Sequence, residues 1–329
     1  MKIYLTFDYE LYFGSKSGTA DRCLLEPTEL ILSATDPYNV KTTQFVDAGY
    51  LIRCRELSVK HPELEKDFNT VSQQLRNMSL NGHELQLHIH PHWLATQYEN
   101  GQWQMNTSRY RLHDFNSDDI TSIVRSNAAF IRSISKNKIS TYRAGGWCIQ
   151  PFDKLKSALK EEGIVTDSSI FPGGYYTSEQ YYYDFRNCPQ VSQWRFEDDP
   201  LKPVDNGSFM EVPITSIKNS PLFYWKLFLL GRLFPEYHKP IGNGRAMEAP
   251  GQRKKLLTSY TLQTVSLDGY NAALLSKALR QQEKKKAQSM VIIGHPKSLT
   301  RFGADALEKF VRENHQRHEF STFNAISAA

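Results

Sequence analysis

Four of the chain's ten histidines, His83, His88, His90 and His92, fall within the run GHELQLHIHPHW. Histidine nitrogen is a favoured ligand for zinc and related divalent ions, and two histidines with one carboxylate leave a coordination position for water. If this run is extended, Gln86, His88 and His90 share one face while Leu85, Leu87 and Ile89 share the other. Pro91 then forces the chain out of the strand and lets His92 fold back, so two or three imidazoles can converge. His83, farther back, is read as structural. Carboxylates come from the opening residues MKIYLTFDYE, where alternation sets Ile3, Leu5 and Phe7 on one face and Tyr4, Thr6, Asp8 and Glu10 on the other. Two acids at a strand end say little alone. Beside a histidine cluster they become candidates for a metal ligand and a general base.

Three further polar residues close strand-like runs: Arg143 in TYRAGGW, Asp167 in VTDSS and His295 in VIIGHPK. The elements that must position them alternate along the whole chain. Runs rich in β-branched and aromatic residues lie near the N-terminus and at 42–46, 84–89, 139–144, 164–170, 209–215, 261–267 and 290–295. Between them come helix-like stretches such as ELEKDFNTVSQQLRNMSL, SDDITSIVRSNAAFIRSIS and ADALEKFVRENHQ. That order describes an α/β barrel better than a doubly wound sheet with a second domain. In a barrel the C-terminal strand ends gather at one rim and build the active site. Residues 1–329 are read as a single catalytic domain with a loop insertion at about 175–205. The run QQEKKKAQ is read as the solvated end of a helix, with cations where the macrodipole favours them.

Composition narrows the function classes. With 329 residues and 40% hydrophobic content the chain can build a large core, which excludes disorder as its dominant state. A net charge of +5 spread over that length does not suggest nucleic acid as a partner. Cys23, Cys54, Cys148 and Cys188 are widely spaced and form no CxxC pair, so reduced thiols are expected. No apolar signal-like segment opens the sequence, and the expected location is the cytoplasm, with peripheral contact at the inner membrane as an extension. That extension rests on PLFYWKLFLLGRLFPEY at 221–237. This stretch reads as a core helix or subunit contact, or as a helix lying in a membrane interface.

Taken together these motifs resemble the polysaccharide deacetylases of carbohydrate esterase family four, the NodB-homology domain, over nearly the whole chain. The family's TFDD motif is similar to Thr6-Phe7-Asp8-Tyr9, and its GHE turn followed by H(S/T)xxH to Gly82-His83-Glu84 and His88 to His92. Its RxPY motif is similar to Arg143-Ala144-Gly145-Gly146, its DxxW motif to Asp167-Ser168-Ser169-Ile170, and its LxH motif to Ile293-Gly294-His295. The resemblance implies a distorted (β/α) barrel of about seven parallel strands. It further implies hydrolytic removal of acetyl groups from an N-acetylated sugar or glycan precursor, with a bound divalent metal, most often Zn2+.

Carried over residue by residue, the catalytic base falls on Asp8, its tethering arginine on Arg143 and the general acid on His295, oriented by Asp167. The metal falls to His88 and His92, with His90 as the rival if the strand stays extended. The family's second acid is replaced by Tyr9, so the metal carboxylate is assigned to Glu10. Gly146 would supply the oxyanion amide, and Trp147 an aromatic wall in place of the tryptophan lost at Ile170. Two other readings compete: a metal-dependent amidohydrolase, from the His88-Ile89-His90 pair, and a non-catalytic sugar-binding protein on the same barrel.

Overall fold

The structure is a computed structural model and describes residues 1–247 and 252–327. Its centre is a sheet of nine strands: β1 (Lys2–Tyr9), β2 (Thr43–Asp47), β3 (Glu84–Ile89), β4 (Thr141–Ala144), β5 (Thr166–Asp167), β6 (Trp194–Phe196), β7 (Phe209–Glu211), β8 (Ser289–Gly294) and β9 (Glu319–Phe320). The spatial order is β6-β7-β5-β4-β3-β2-β1-β8, with β9 on the start of β1. Eight of these strands, β1 to β5 and β7 to β9, run parallel, and β6 joins β7 antiparallel. This is the expected distorted (β/α) barrel.

Parallel strands covered on both faces are buried along their whole length. In β8, Met290 to Ile293 are all essentially inaccessible, and β2 and β3 are buried throughout. The two faces of β1 separate as alternation requires. Ile3, Leu5 and Phe7 pack with Leu299, Leu307 and Phe310 under the outer helices, while Tyr4 joins Phe45 and Phe323 on the other side. Between strands run the helices Glu63–Leu80, Ser117–Ile134 and Arg301–Asn314. Asn116 caps the second of these by accepting from the Asp119 amide, and Thr300 caps the third through the Gly303 amide. The QQEKKKAQ run ends the helix Leu275–Lys284, as its charges suggest.

The run at 261–267 splits. Thr261–Thr264 pairs antiparallel with Ser216–Asn219 outside the main sheet. The Leu267 amide donates to the Ile293 carbonyl, and the Ile293 amide to that of Val265, on the free edge of β8. Thr215, continuing from β7, donates to Val291 on the same edge, so the open side of the barrel is laced shut. The 175–205 insertion carries a small hairpin, Tyr175–Thr177 with Tyr182–Asp184, and the edge strand β6. The four cysteines are buried and unpaired with one another.

Candidate active site

Register decides which side chains share the barrel interior. Asp47, His88 and Arg143 are neighbours across β2, β3 and β4, and Asp8 pairs with Phe45 two residues before Asp47. Partners in a ladder point to the same face, so Asp8, His88 and Arg143 all point inward. Arg143 is fully buried. Its Nη1 donates to Asp8 Oδ1 at 2.7 Å and to Thr6 Oγ1 at 3.1 Å, and its Nε donates to the Ser168 carbonyl at 2.8 Å. The guanidinium carbon lies 3.9 Å from the centre of the Phe45 ring.

Asp167 falls in a different row, paired with Tyr142 and Glu211, and Tyr142 pairs with Leu87. That row is one residue out of step with His88 and Arg143, so Asp167 faces away from them. It does not orient His295. Its carboxylate accepts from the Ser169 hydroxyl at 2.7 Å and the Ser169 amide at 2.9 Å. The Ser169 hydroxyl in turn accepts from the Ala144 amide. Asp167 thereby fixes the turn whose Ser168 holds Arg143.

The partner of His295 is Asp268, which the sequence reading passed over. Asp268 accepts from the His295 amide and faces Nδ1 of the ring, both at 2.8 Å. The opposite nitrogen, Nε2, is 3.6 Å from Asp8 and 3.8 Å from Glu10. Burial works against a charged ring, but Asp268, Asp8 and Glu10 outweigh it and raise the His295 pKa to about 9. Asp268 follows directly on the segment that laces the edge of β8, so it too stands at a strand end.

Glu10, His88 and His90 form the cluster able to hold a metal. His88 Nε2 and His90 Nε2 lie 3.1 and 2.6 Å from Glu10 Oε2, and 3.1 Å from each other. His88 Nδ1 is 2.8 Å from the Arg143 carbonyl. A carbonyl only accepts, so Nδ1 carries a proton and Nε2 is the nitrogen turned to the cluster. Burial works against a charged ring, but Asp8, Glu10 and Asp47 outweigh it and raise the His88 pKa. Burial, with the charges of His88 and Lys297, lowers the pKa of His90 to about 4 despite Glu10, giving a neutral ring at neutral pH. Burial alone would protonate Glu10, yet Lys297 and the two histidines hold its pKa well below the usual carboxylate range. Two imidazole nitrogens and an ionised oxygen directed at one point suit a divalent ion, zinc among them.

His92 is not part of this set. The chain stays extended through His90, and Pro91 opens a single 3-10 turn, Pro91–Leu94, that swings His92 aside. Its ring stacks on Tyr110 with 4° between the planes, against Phe13 and Trp93. The rival reading, His90, is the one the geometry supports. Gly145 permits it, because a Cβ there would sit 2.6 Å from the Ile89 carbonyl and 2.7 Å from the His90 ring. Tyr9 faces outward, its hydroxyl donating to Gln74 at 2.9 Å, which leaves Glu10 as the second acid on the site side. His83 is buried between Thr42 and Asp36, a structural role.

Lys297 was also missed, although it stands two residues after His295. Its ammonium donates to Glu10 Oε1 at 2.8 Å and to the Leu11 carbonyl at 2.7 Å. It occupies one carboxylate oxygen and leaves Oε2 to the histidines. These groups open on a cleft of about 270 Å³, also lined by Tyr12, Phe13, Tyr110, Trp147 and Tyr181. Gly146 and Trp147 both have φ near +59°, strained for the tryptophan, and both line this cleft. A larger hollow of about 480 Å³, beside Ser289 at the opposite end of β8, holds no comparable set of acids and histidines.

Neither a family profile nor a curated protein sequence matches the chain. Solved structures do. One is a protein from Mycobacterium smegmatis provisionally assigned as a polysaccharide deacetylase: 16% identical, TM-score 0.51, with 99% of this chain and 88% of that one covered. A second is a 4-alpha-glucanotransferase from Thermococcus litoralis: 10% identical, TM-score 0.53, with all of this chain matched to 38% of that one. The polysaccharide deacetylase Bc1974 from Bacillus cereus is 13% identical, with TM-score 0.41 and 97% and 90% coverage. One barrel therefore serves proteins of different named activities, and the site must carry the functional argument. The chain has the distorted (β/α) barrel fold of the polysaccharide deacetylases.

Proposed function

We propose that the chain is a metal-dependent hydrolase that removes acetyl groups from an N-acetylated sugar or glycan precursor. One observation carries this reading. Across a single cleft, an arginine-tethered carboxylate, a histidine held by its own carboxylate, and a Glu-His-His cluster face one another within about 4 Å. Amide hydrolysis needs a base for water, an acid for the departing amine, and something to polarise the carbonyl.

Glu10, His88 and His90 would hold the ion, with Lys297 fixing the Glu10 carboxylate. A bound divalent metal supplies Lewis acidity, lowering the pKa of water toward about 7 and polarising the acetyl carbonyl. Asp8, fixed by Arg143, takes the proton as water attacks. Asp268 holds His295 in its protonated state, and Nε2 then donates to the sugar nitrogen as the C–N bond breaks. The products are acetate and a free amine. The aromatic lining of the cleft offers faces for a sugar ring, and the volume suits one ring at a time. The Gly146 amide, at the start of the strained turn, is the candidate donor to the developing oxyanion.

The test is acetate release from N-acetylated sugars and oligosaccharides by zinc-reconstituted protein. Release that requires both the metal and His295 supports the reading. Binding of such sugars with full metal and no acetate would replace it with the sugar-binding protein considered above.

A further inference from the structure

The helix Pro221–Leu233 inverts the usual rule of amphipathic packing. Leu222, Trp225, Leu229 and Leu233 recur at helical spacing on its solvent side, with exposures of 78, 58, 58 and 61%, and Phe234 continues the stripe at 58%. A surface helix ordinarily turns such residues inward. The reading of this stretch as a core helix is thus wrong, since of its residues Tyr224 alone is fully buried. The opposite side is anchored by Phe223, which stacks on Tyr270 with ring centres 5.4 Å apart, while Trp225, within the exposed stripe, donates through Nε1 to the Leu257 carbonyl of the neighbouring helix. The apolar stripe is therefore held out on a fixed helix.

Its surroundings are basic. From residue 218 to 248 the sequence carries five cations, Lys218, Lys226, Arg232, Lys239 and Arg245, against two acids, Glu236 and Glu248. Lys226 and Arg232 are exposed on the helix itself, the Lys226 ammonium 5.5 Å from the centre of the Tyr270 ring, and exposed Lys254 and Lys255 stand on the neighbouring helix Gln252–Thr258. Asp305, on the helix Arg301–Asn314, accepts from Tyr237 and is a counter-charge on this side of the molecule. An apolar stripe with leucine and tryptophan, bordered by lysine and arginine whose stems can reach upward, matches the boundary between acyl chains and anionic headgroups. Among the described residues no helix is long and apolar enough to cross a membrane, so contact would be at the surface.

We infer that the helix Pro221–Leu233, with Phe234 at its end, docks this protein on an anionic lipid bilayer. Tyr270, against which the helix is seated, lies two residues beyond Asp268, so docking would bring the rim of the cleft beside the lipid surface. The inference stands on the patch and does not depend on the chemistry of the cleft.

The test is co-sedimentation of the full chain with phosphatidylcholine vesicles, with and without phosphatidylglycerol. Binding should require the anionic lipid, weaken with salt, and fall by about 10-fold or more in Leu229→Asp/Leu233→Asp and in Lys226→Glu/Arg232→Glu. Circular dichroism checks that both variants fold, and each replaces side chains that are already exposed. No binding to anionic vesicles overturns the inference, as does equal binding by either variant or by neutral vesicles. So does self-association that the leucine variant abolishes in a protein that ignores vesicles, which would make the face an interface between copies.

Discussion

Two buried carboxylate pairs sit in the same barrel and behave in opposite ways. Asp8 and Glu10 each meet a cation, Arg143 at 2.7 Å and Lys297 at 2.8 Å, and both line a cleft. Asp167 and Glu211 are direct ladder partners, and among the described residues no lysine or arginine forms an ion pair with either. Burial, then their mutual repulsion, pushes Glu211 well above the carboxylate range, and burial raises Asp167 too, so the pair retains a proton. The first pair faces the cleft. The second closes a turn. Burial is shared by both pairs. The difference lies in the facing charges and in one step of strand register.

The largest effect separating the two pairs should come from Asp8→Asn. Loss of the general base should reduce acetate release by at least about 10²-fold, measured as steady-state kcat on the best acetylated sugar. Arg143 would keep a neutral partner of the same shape, so the fold should survive. Near-normal turnover would remove Asp8 from the base role and with it the contrast.

Asp268→Asn comes next. The ring of His295 would lose the carboxylate that holds its proton and its orientation, and kcat should fall by about 10-fold or more. Asp167→Asn, the substitution that the motif resemblance would favour, should lower kcat less at equal protein stability. A larger loss in Asp167→Asn would reverse the assignment.

The smallest effect is on stability and sharpens the comparison from the other side. A buried acid with a raised pKa binds its proton more tightly when folded. Its contribution is complete below the ordinary carboxylate range and is lost as pH rises through the folded value. Glu211→Gln replaces the shared proton by a permanent amide donor. Its urea midpoint should gain on the wild type as pH rises above the ordinary carboxylate range, from 5 to 8. A constant difference across that range would mean that the pair does not hold a proton.

Much of this was legible in the residues. Period-two alternation sorted Ile3, Leu5 and Phe7 from Tyr4, Thr6 and Asp8 correctly, because a strand's faces follow from backbone geometry alone. The rule that polar residues at strand ends build the rim located Arg143 and His295. Applied to TVSLD it would also have found Asp268, but the reading let a family motif assign that role to Asp167. The error at Asp167 has a physical source: inter-strand register is set by packing across the whole sheet and is invisible within a seven-residue window. His90 against His92 turned on where the strand ends, which Pro91 bounds to within a residue and the Gly145 contact decides. Lys297 carried no signal of its own, since a lysine after His-Pro ordinarily points to solvent.

Metal content tests the central claim most directly. Elemental analysis of purified, zinc-supplemented protein should give near one equivalent per chain for the wild type and for His92→Ala, and little for His90→Ala. Retention in His90→Ala with loss in His92→Ala, or no metal in the wild type after supplementation, would contradict the Glu10-His88-His90 site and the hydrolytic mechanism built on it.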